Sequence, residues 1–304
     1  MTSVPSSFPH PGAPPRHPEL PEGATPPAEP PARPLQDLSV PLWAPFAAAL
    51  IALVGMTLIQ FLLLAGIDVA GGDTQELVDS NTAGIALTAV FDVLLVVCSI
   101  AIVWRLTGRP SPAQFALRPA PVVRSVCWIL GTFVAVWIAG AIITVAFGKP
   151  EDQDLVTELR GEESVLALAG FGLMTCVLAP LAEEFFFRGF LFRVLAERLN
   201  AAWGVVIAGG IFGLVHLPGG SLEGVIVLGT LGAMLCLMVY YTASLLPCII
   251  MHASFNSLAF GATKELPWWG YLLVLAGSVM TTLAIALLVT RIGRRAAPPE
   301  LVPA

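Results

Sequence analysis

The sequence is cut by short polar stretches into eight apolar runs, most of them about 20 residues or longer, the length an α-helix needs to cross the hydrocarbon core of a bilayer. The runs extend from Leu42 to Ile67, Ala83 to Trp104, Val122 to Phe147, Leu166 to Leu195, Ala202 to Leu217, Gly224 to Tyr241, Leu245 to Phe260 and Trp269 to Val289, the fifth and seventh being short. With 56% hydrophobic residues, 12% charged residues and a mean hydropathy of +0.83, the chain is too apolar for a soluble domain with a polar surface. The pattern predicts an all-α, polytopic transmembrane helical bundle of about eight spans that contacts membrane lipid directly. The net charge of -6 arises mostly from tail and loops, and no basic face suited to nucleic acid is evident.

Residues 1–40 hold twelve of the 26 prolines and lack an apolar stretch able to serve as a signal-peptide core, so they read as a retained, disordered leader. Residues 41–291 then form one transmembrane domain, and 292–304 a short C-terminal tail. The five cysteines are irregularly spaced within or beside apolar runs and read as small apolar fillers.

Basic residues near span ends set the expected orientation. Arg105, Arg109, Arg118 and Arg124 surround the second loop, Arg193 and Arg198 end the fourth run, and Arg291, Arg294 and Arg295 end the last. The first loop, with Asp68, Asp73, Glu76 and Asp79, has no cation. These biases and an even number of spans predict a multi-pass protein of the cell membrane with both termini cytoplasmic.

Ionisable groups at membrane depth cost roughly 2.5–3.5 kcal/mol each on insertion scales, so those that persist there point to function. Glu183, Glu184 and Arg188 lie in the fourth run, His216 ends the fifth, and His252 and Asn256 share the seventh. The fourth run would be about 45 Å long as a helix, with Pro180 bending or breaking it just before the glutamates. A hairpin turning near Asn200 returns Glu183 and His216 to nearly the same height, and His252 and Asn256 overlap that level. Glu184 and Arg188, like His252 and Asn256, are four residues apart and share a helix face. If Glu184 neutralises Arg188, its neighbour Glu183 points about 100° away and is the candidate general base.

The order Glu-Glu-x-x-x-Arg, Phe-x-x-x-His and His-x-x-x-Asn, each on its own apolar helix, resembles the CPBP intramembrane proteases, the group that includes CAAX prenyl endopeptidases and bacteriocin-processing or immunity proteins. The resemblance covers roughly residues 166–260. It implies a glutamate-dependent or metal-dependent endopeptidase acting on a membrane-associated protein or peptide. Glu183 and His216 match the residues held to activate water, and His252 with Asn256 those held to complete the site. Glu184 and Arg188 belong to the same catalytic constellation, although a purely structural ion pair is the competing reading. A carboxylate and two imidazoles also suit zinc or another divalent metal, which would assign Glu183, His216 and His252 as ligands. A non-catalytic immunity factor or scaffold and a polar-lined transporter are the alternatives.

Three smaller expectations follow from the same runs. Asp92, mid-span in the second run, is a candidate partner for Arg188 across helices. Phe185, Phe186 and Phe187 read as lipid or helix contacts. Gly209, Gly210 and Gly213, with Gly229 and Gly232, read as sites of close helix approach.

Overall fold

The computed structural model describes residues 37–78, 80–148 and 152–295; most of the Pro-rich leader and the last nine residues lie outside it. Helix α1 spans Ala44–Val69, a short α2 Thr74–Val78, α3 Asn81–Thr107 and α4 Val122–Phe147, with a 3-10 turn at Pro112–Phe115 between the last two. A second short helix, α5, covers Asp154–Gly161. The fourth apolar run is one long helical path made of α6 (Val165–Leu173), a π segment (Met174–Leu178), α7 (Ala179–Phe186), a second π segment (Phe187–Leu191) and α8 (Phe192–Arg198). Then follow α9 (Ala201–Leu214), a 3-10 turn at Leu217–Gly219, α10 (Leu222–Thr242), α11 (Leu246–Thr263) and α12 (Trp268–Arg295).

Seven of these helical segments are long and apolar enough to cross a membrane, and the expected eighth, α11, is not among them. The reason is physical: α11 has 18 residues, a rise of roughly 27 Å, and gives positions to His252, Ser254, Asn256 and Ser257. It nevertheless runs from one end of the bundle to the other. At its start, Leu245 N–H donates to the Ala116 carbonyl at 2.9 Å, in the α3–α4 loop. Just beyond its end, Lys264 Nζ donates to the carbonyls of Leu159, Arg160 and Glu162 in and after α5. A short, polar traverse is tolerated because α11 is packed inside protein: Cys248, Ile249, Met251 and Ala253 are all buried.

The outward faces of α1, α4 and α12 show the opposite distribution. Leu50, Leu58, Phe61 and Leu62 of α1 are exposed, as are Val123, Leu130 and Trp137 of α4 and Leu273 and Met280 of α12. An apolar surface this extensive suits lipid and not water. The protein is a multi-pass membrane protein.

One end of the bundle gathers the chain before α1, the 3-10 turn after α3 and the α10–α11 turn. Leu38 and Val40 are fully buried there, Leu38 N–H donating to Glu197 at 3.2 Å and Arg198 donating to the Val40 carbonyl at 2.7 Å. Ser244 Oγ donates to the Arg118 carbonyl, and Gly293 of α12 abuts Pro112. At the other end, Gly219 and Gly220 lie against Asp154 and Gln153 of the α5 region.

The Phe185–Phe187 run makes helix contacts and not lipid contacts, all three rings being buried; Phe185 packs on Phe115 with centroids 4.5 Å apart. The glycines of α9 and α10 divide by position. A Cβ at Gly209 would lie 2.8 Å from the Ala233 nitrogen, one at Gly232 3.0 Å from Gly209 Cα, and one at Gly213 would strike the Val225 carbonyl. Gly210, in contrast, faces open space and Gly229 has ordinary clearance. Only an absent side chain lets the two backbones approach this closely, and the approach holds His216 at its level. Gly213→Ala is therefore expected to lower stability by about 1–3 kcal/mol through overpacking, while Gly210→Ala is neutral or stabilising by up to about 1 kcal/mol. Thermal unfolding of the two variants in detergent compares them directly.

A candidate intramembrane active site

Glu184 is the centre of the buried polar cluster. It and Arg188 are both 0% exposed, and Glu184 Oε1 accepts from Arg188 Nη1 at 2.8 Å across one turn. The same oxygen meets His252 Nδ1 on α11, also at 2.8 Å. Arg188 Nη2 donates to the Gly232 carbonyl of α10 at 3.1 Å, and its guanidinium carbon lies 4.3 Å from the centre of the Phe212 ring on α9. Burying a charge this completely is tolerable only when it is paired and hydrogen-bonded.

The pairing fixes the imidazole. A carboxylate neutralised by Arg188 can only accept, so the His252 proton sits on Nδ1 and Nε2 presents its lone pair. That Nε2 lies 4.0 Å from Glu183 Oε2, beyond a direct hydrogen bond. Glu183 Oε2 is itself buried with no hydrogen-bond partner among the described residues.

His216 acquires the same tautomer by a different route. Helix α9 ends at Leu214, and its last carbonyls have no N–H four residues ahead to accept from. His216 N–H turns to the Gly213 carbonyl at 3.1 Å, leaving the Phe212 carbonyl to His216 Nδ1 at 2.7 Å. A carbonyl cannot donate, so Nδ1 again carries the proton and Nε2 is free. The Phe212 ring stands between the two imidazoles, its centroid 5.1 Å from His216 and 5.8 Å from His252.

Asn256 is positioned by the helix defect that Pro180 creates. In the first π segment hydrogen bonds run from residue i to i−5, as Ala179 N–H to the Met174 carbonyl does. The next donor in that register would be residue 180, and proline has none, which orphans the Thr175 carbonyl. Asn256 Nδ2 donates to it at 2.8 Å. The expected bend at Pro180 thus takes the form of π segments on either side of α7, the helix that carries both glutamates.

Glu183, His216, His252 and Asn256 all line one cavity of about 540 Å³, together with Thr175 and, at its mouth, Gln153, Asp154 and Glu158 of the α5 region. The helical pattern of α5 is just eight residues long, and nothing local reveals that it stands over the site. Phe212, the spacer between the imidazoles, was visible only as the first residue of Phe-x-x-x-His.

One expectation differs from the structure. Asp92 does not pair with Arg188, whose terminal nitrogens are taken by Glu184 and Gly232; Asp92 lines a separate apolar cavity with Val93, Val96 and Phe185, its Oδ2 without a hydrogen-bond partner among the described residues. The reason is geometric: Arg188 points toward α10, while α3 meets the other side of α7. Among the described residues, moreover, no three His, Cys, Asp or Glu groups lie close enough to hold a metal ion. Glu183, His216 and His252 share a cavity without forming a ligand set as they stand, although both imidazoles have the Nδ1–H anchoring usual for metal ligands.

Arg188→Met leaves Glu184 buried without its cation, and a loss of about 3–5 kcal/mol is expected. Unfolding in detergent measures it; a melting temperature equal to wild type would remove the cluster's structural role.

The family model described as Type II CAAX prenyl endopeptidase Rce1-like matches residues 165–258, about a third of the chain. Comparisons with curated proteins and with solved structures gave no match. The matched segment begins at the first residue of α6, ends within α11, and includes Glu183, Glu184, Arg188, His216, His252 and Asn256. This helical segment, which carries the whole polar cluster, is thus similar to the Rce1-like type II CAAX prenyl endopeptidases.

Proposed function

We propose that the chain is an intramembrane endopeptidase that hydrolyses a peptide bond in a membrane-associated protein or peptide. The observation that carries this reading is the convergence of Glu183, His216, His252 and Asn256 on one cavity, in a segment matched by an endopeptidase family. A water in that cavity donates one O–H to Glu183 and the other to an imidazole Nε2, which leaves its lone pair aimed at a substrate carbonyl. Glu183 takes the water proton as the C–O bond forms. The second N–H of Asn256, not used on Thr175, faces the developing oxyanion. Collapse of the tetrahedral intermediate breaks the C–N bond, and the proton held by Glu183 passes to the departing amine. Glu184 and Arg188 act through His252: they hold its tautomer and its angle, and are positioning residues.

The basic ends of the second, fourth and last runs and the first, cation-free loop support a cell-membrane protein with both termini cytoplasmic. In that orientation the cavity mouth beneath α5 faces the opposite side, since α5 meets the end of α11 and not its start.

Glu183→Gln and His216→Ala are expected to lower cleavage by at least about a hundredfold, the lower range for loss of general-base catalysis, while membrane insertion is retained. Turnover by the purified variants in nanodiscs, beside wild type, is the test; wild-type rates in either would reject the assignment. The reaction as written uses no metal, so chelation is expected to leave the rate unchanged. Loss on chelation with recovery on adding zinc would instead make Glu183, His216 and His252 ligands that close on an ion.

A further inference from the structure

Asp92 stands in an apolar cavity that the candidate active site does not use. The side chain is 6% exposed, and its Oδ2 is buried with no hydrogen-bond partner among the described residues. The cavity lies between α3, α7, α11 and α12, and among the described residues that line it Asp92 is the one polar side chain. Its volume of about 370 Å³ falls in the range of small-molecule sites, roughly 300–1,000 Å³. Helix α7 separates it from the candidate active site, since Ala182 and Phe185 line this cavity and Ala179 and Glu183 the other. Its outer edge is made by Val93 and Val97 of α3 and Val289 of α12, all exposed, so a molecule dissolved in the bilayer reaches it without crossing water.

Depth and polarity together restrict the occupant. Asp92 follows the first residue of α3 by eleven positions and precedes the last by fifteen, which places it roughly 16 Å from one end of the helix and roughly 22 Å from the other. A carboxyl there has lost its hydration, and native proteins seldom retain a buried polar group with nothing to bond it. Water is a poor partner, because a bound water needs about two to four polar contacts and this wall supplies one side chain. A phospholipid fails on depth: its charged head stays at the interface, outside the hydrocarbon core. An ammonium head fails on the cost of carrying an ion out of water to that depth. A hydroxyl is small and neutral, and it both donates to and accepts from a carboxyl.

We propose that the cavity between α3, α7, α11 and α12 binds a neutral single-chain lipid alcohol, with Asp92 as its hydrogen-bonding contact and the surrounding aliphatic side chains as the wall for its chain. Occupancy of this cavity is independent of the peptidase reading, which concerns the cavity on the far side of α7.

The test uses the full-length protein in nanodiscs of zwitterionic lipid and a fatty alcohol with a photoreactive diazirine on its chain. Mass spectrometry of the peptides is expected to find the label on the cavity residues of α3 and α12. At equal mole fraction in the bilayer, oleyl alcohol should displace the probe about tenfold more effectively than a hydrocarbon of the same chain length, the size of one net hydrogen bond. Asp92→Leu should bring that ratio to about one, and Ala286→Phe, which fills the cavity, should abolish labelling there. The labelling and displacement arms on the unsubstituted protein need no variant to fold. Labelling no stronger at the cavity than on the exposed faces of α1 and α4, equal displacement by alcohol and hydrocarbon, stronger displacement by oleylamine, or a ratio unchanged in Asp92→Leu would overturn the proposal.

Discussion

Glu184 is the residue on which the polar interior depends. One carboxylate oxygen accepts from Arg188 and from His252, and Arg188 extends the tie to a backbone carbonyl of α10, so α7, α10 and α11 are joined through a single buried charge. Inside protein and lipid an unpaired ion is penalised by several kcal/mol even after relaxation, so the three helices have a narrow choice of relative rotation. That rotation is what turns Nε2 of His252 toward Glu183 instead of toward lipid. The adjacent glutamates therefore divide the work: one is fully buried and ties the helices together, the other lines the cavity.

The remaining parts of the site are built from backbone groups that helices leave unsatisfied. His216 takes a carbonyl orphaned by the end of α9, and Asn256 takes one orphaned by Pro180 in a π register. Each interruption would be costly at membrane depth if left open. Each is closed by a polar side chain whose other atoms then face the cavity. The same irregularities that weaken the helices thus hold the chemically useful groups, as π segments often do near functional sites.

Much of this was legible in the residues. Run lengths predicted the traverses to within a few residues, and Val122–Phe147 coincides with its expected limits. The Glu184–Arg188 pair follows from four-residue spacing, and the shared level of Glu183 and His216 from equal rise on two helices either side of Asn200. Asp92 was not legible. Its depth matched that expected for Arg188, but depth carries no information on azimuth, and each π segment inserts an extra residue that turns the following face by roughly 100°. The same blindness hid the place of α5, whose eight residues read as a charged loop and stand at the cavity mouth.

Sequence alone therefore determined that the chain crosses a membrane repeatedly and which ionisable groups would be carried into it, because apolar length and the cost of buried charge act on each helix separately. Tertiary structure decided the partner of each group: Glu184 for His252, the Phe212 carbonyl for His216, the Thr175 carbonyl for Asn256 and, among the described residues, no hydrogen-bond partner for Glu183 Oε2. Those choices depend on how helices rotate and approach one another, which glycine contacts between α9 and α10 and the two π segments set, and which the periodicity of any single helix does not contain.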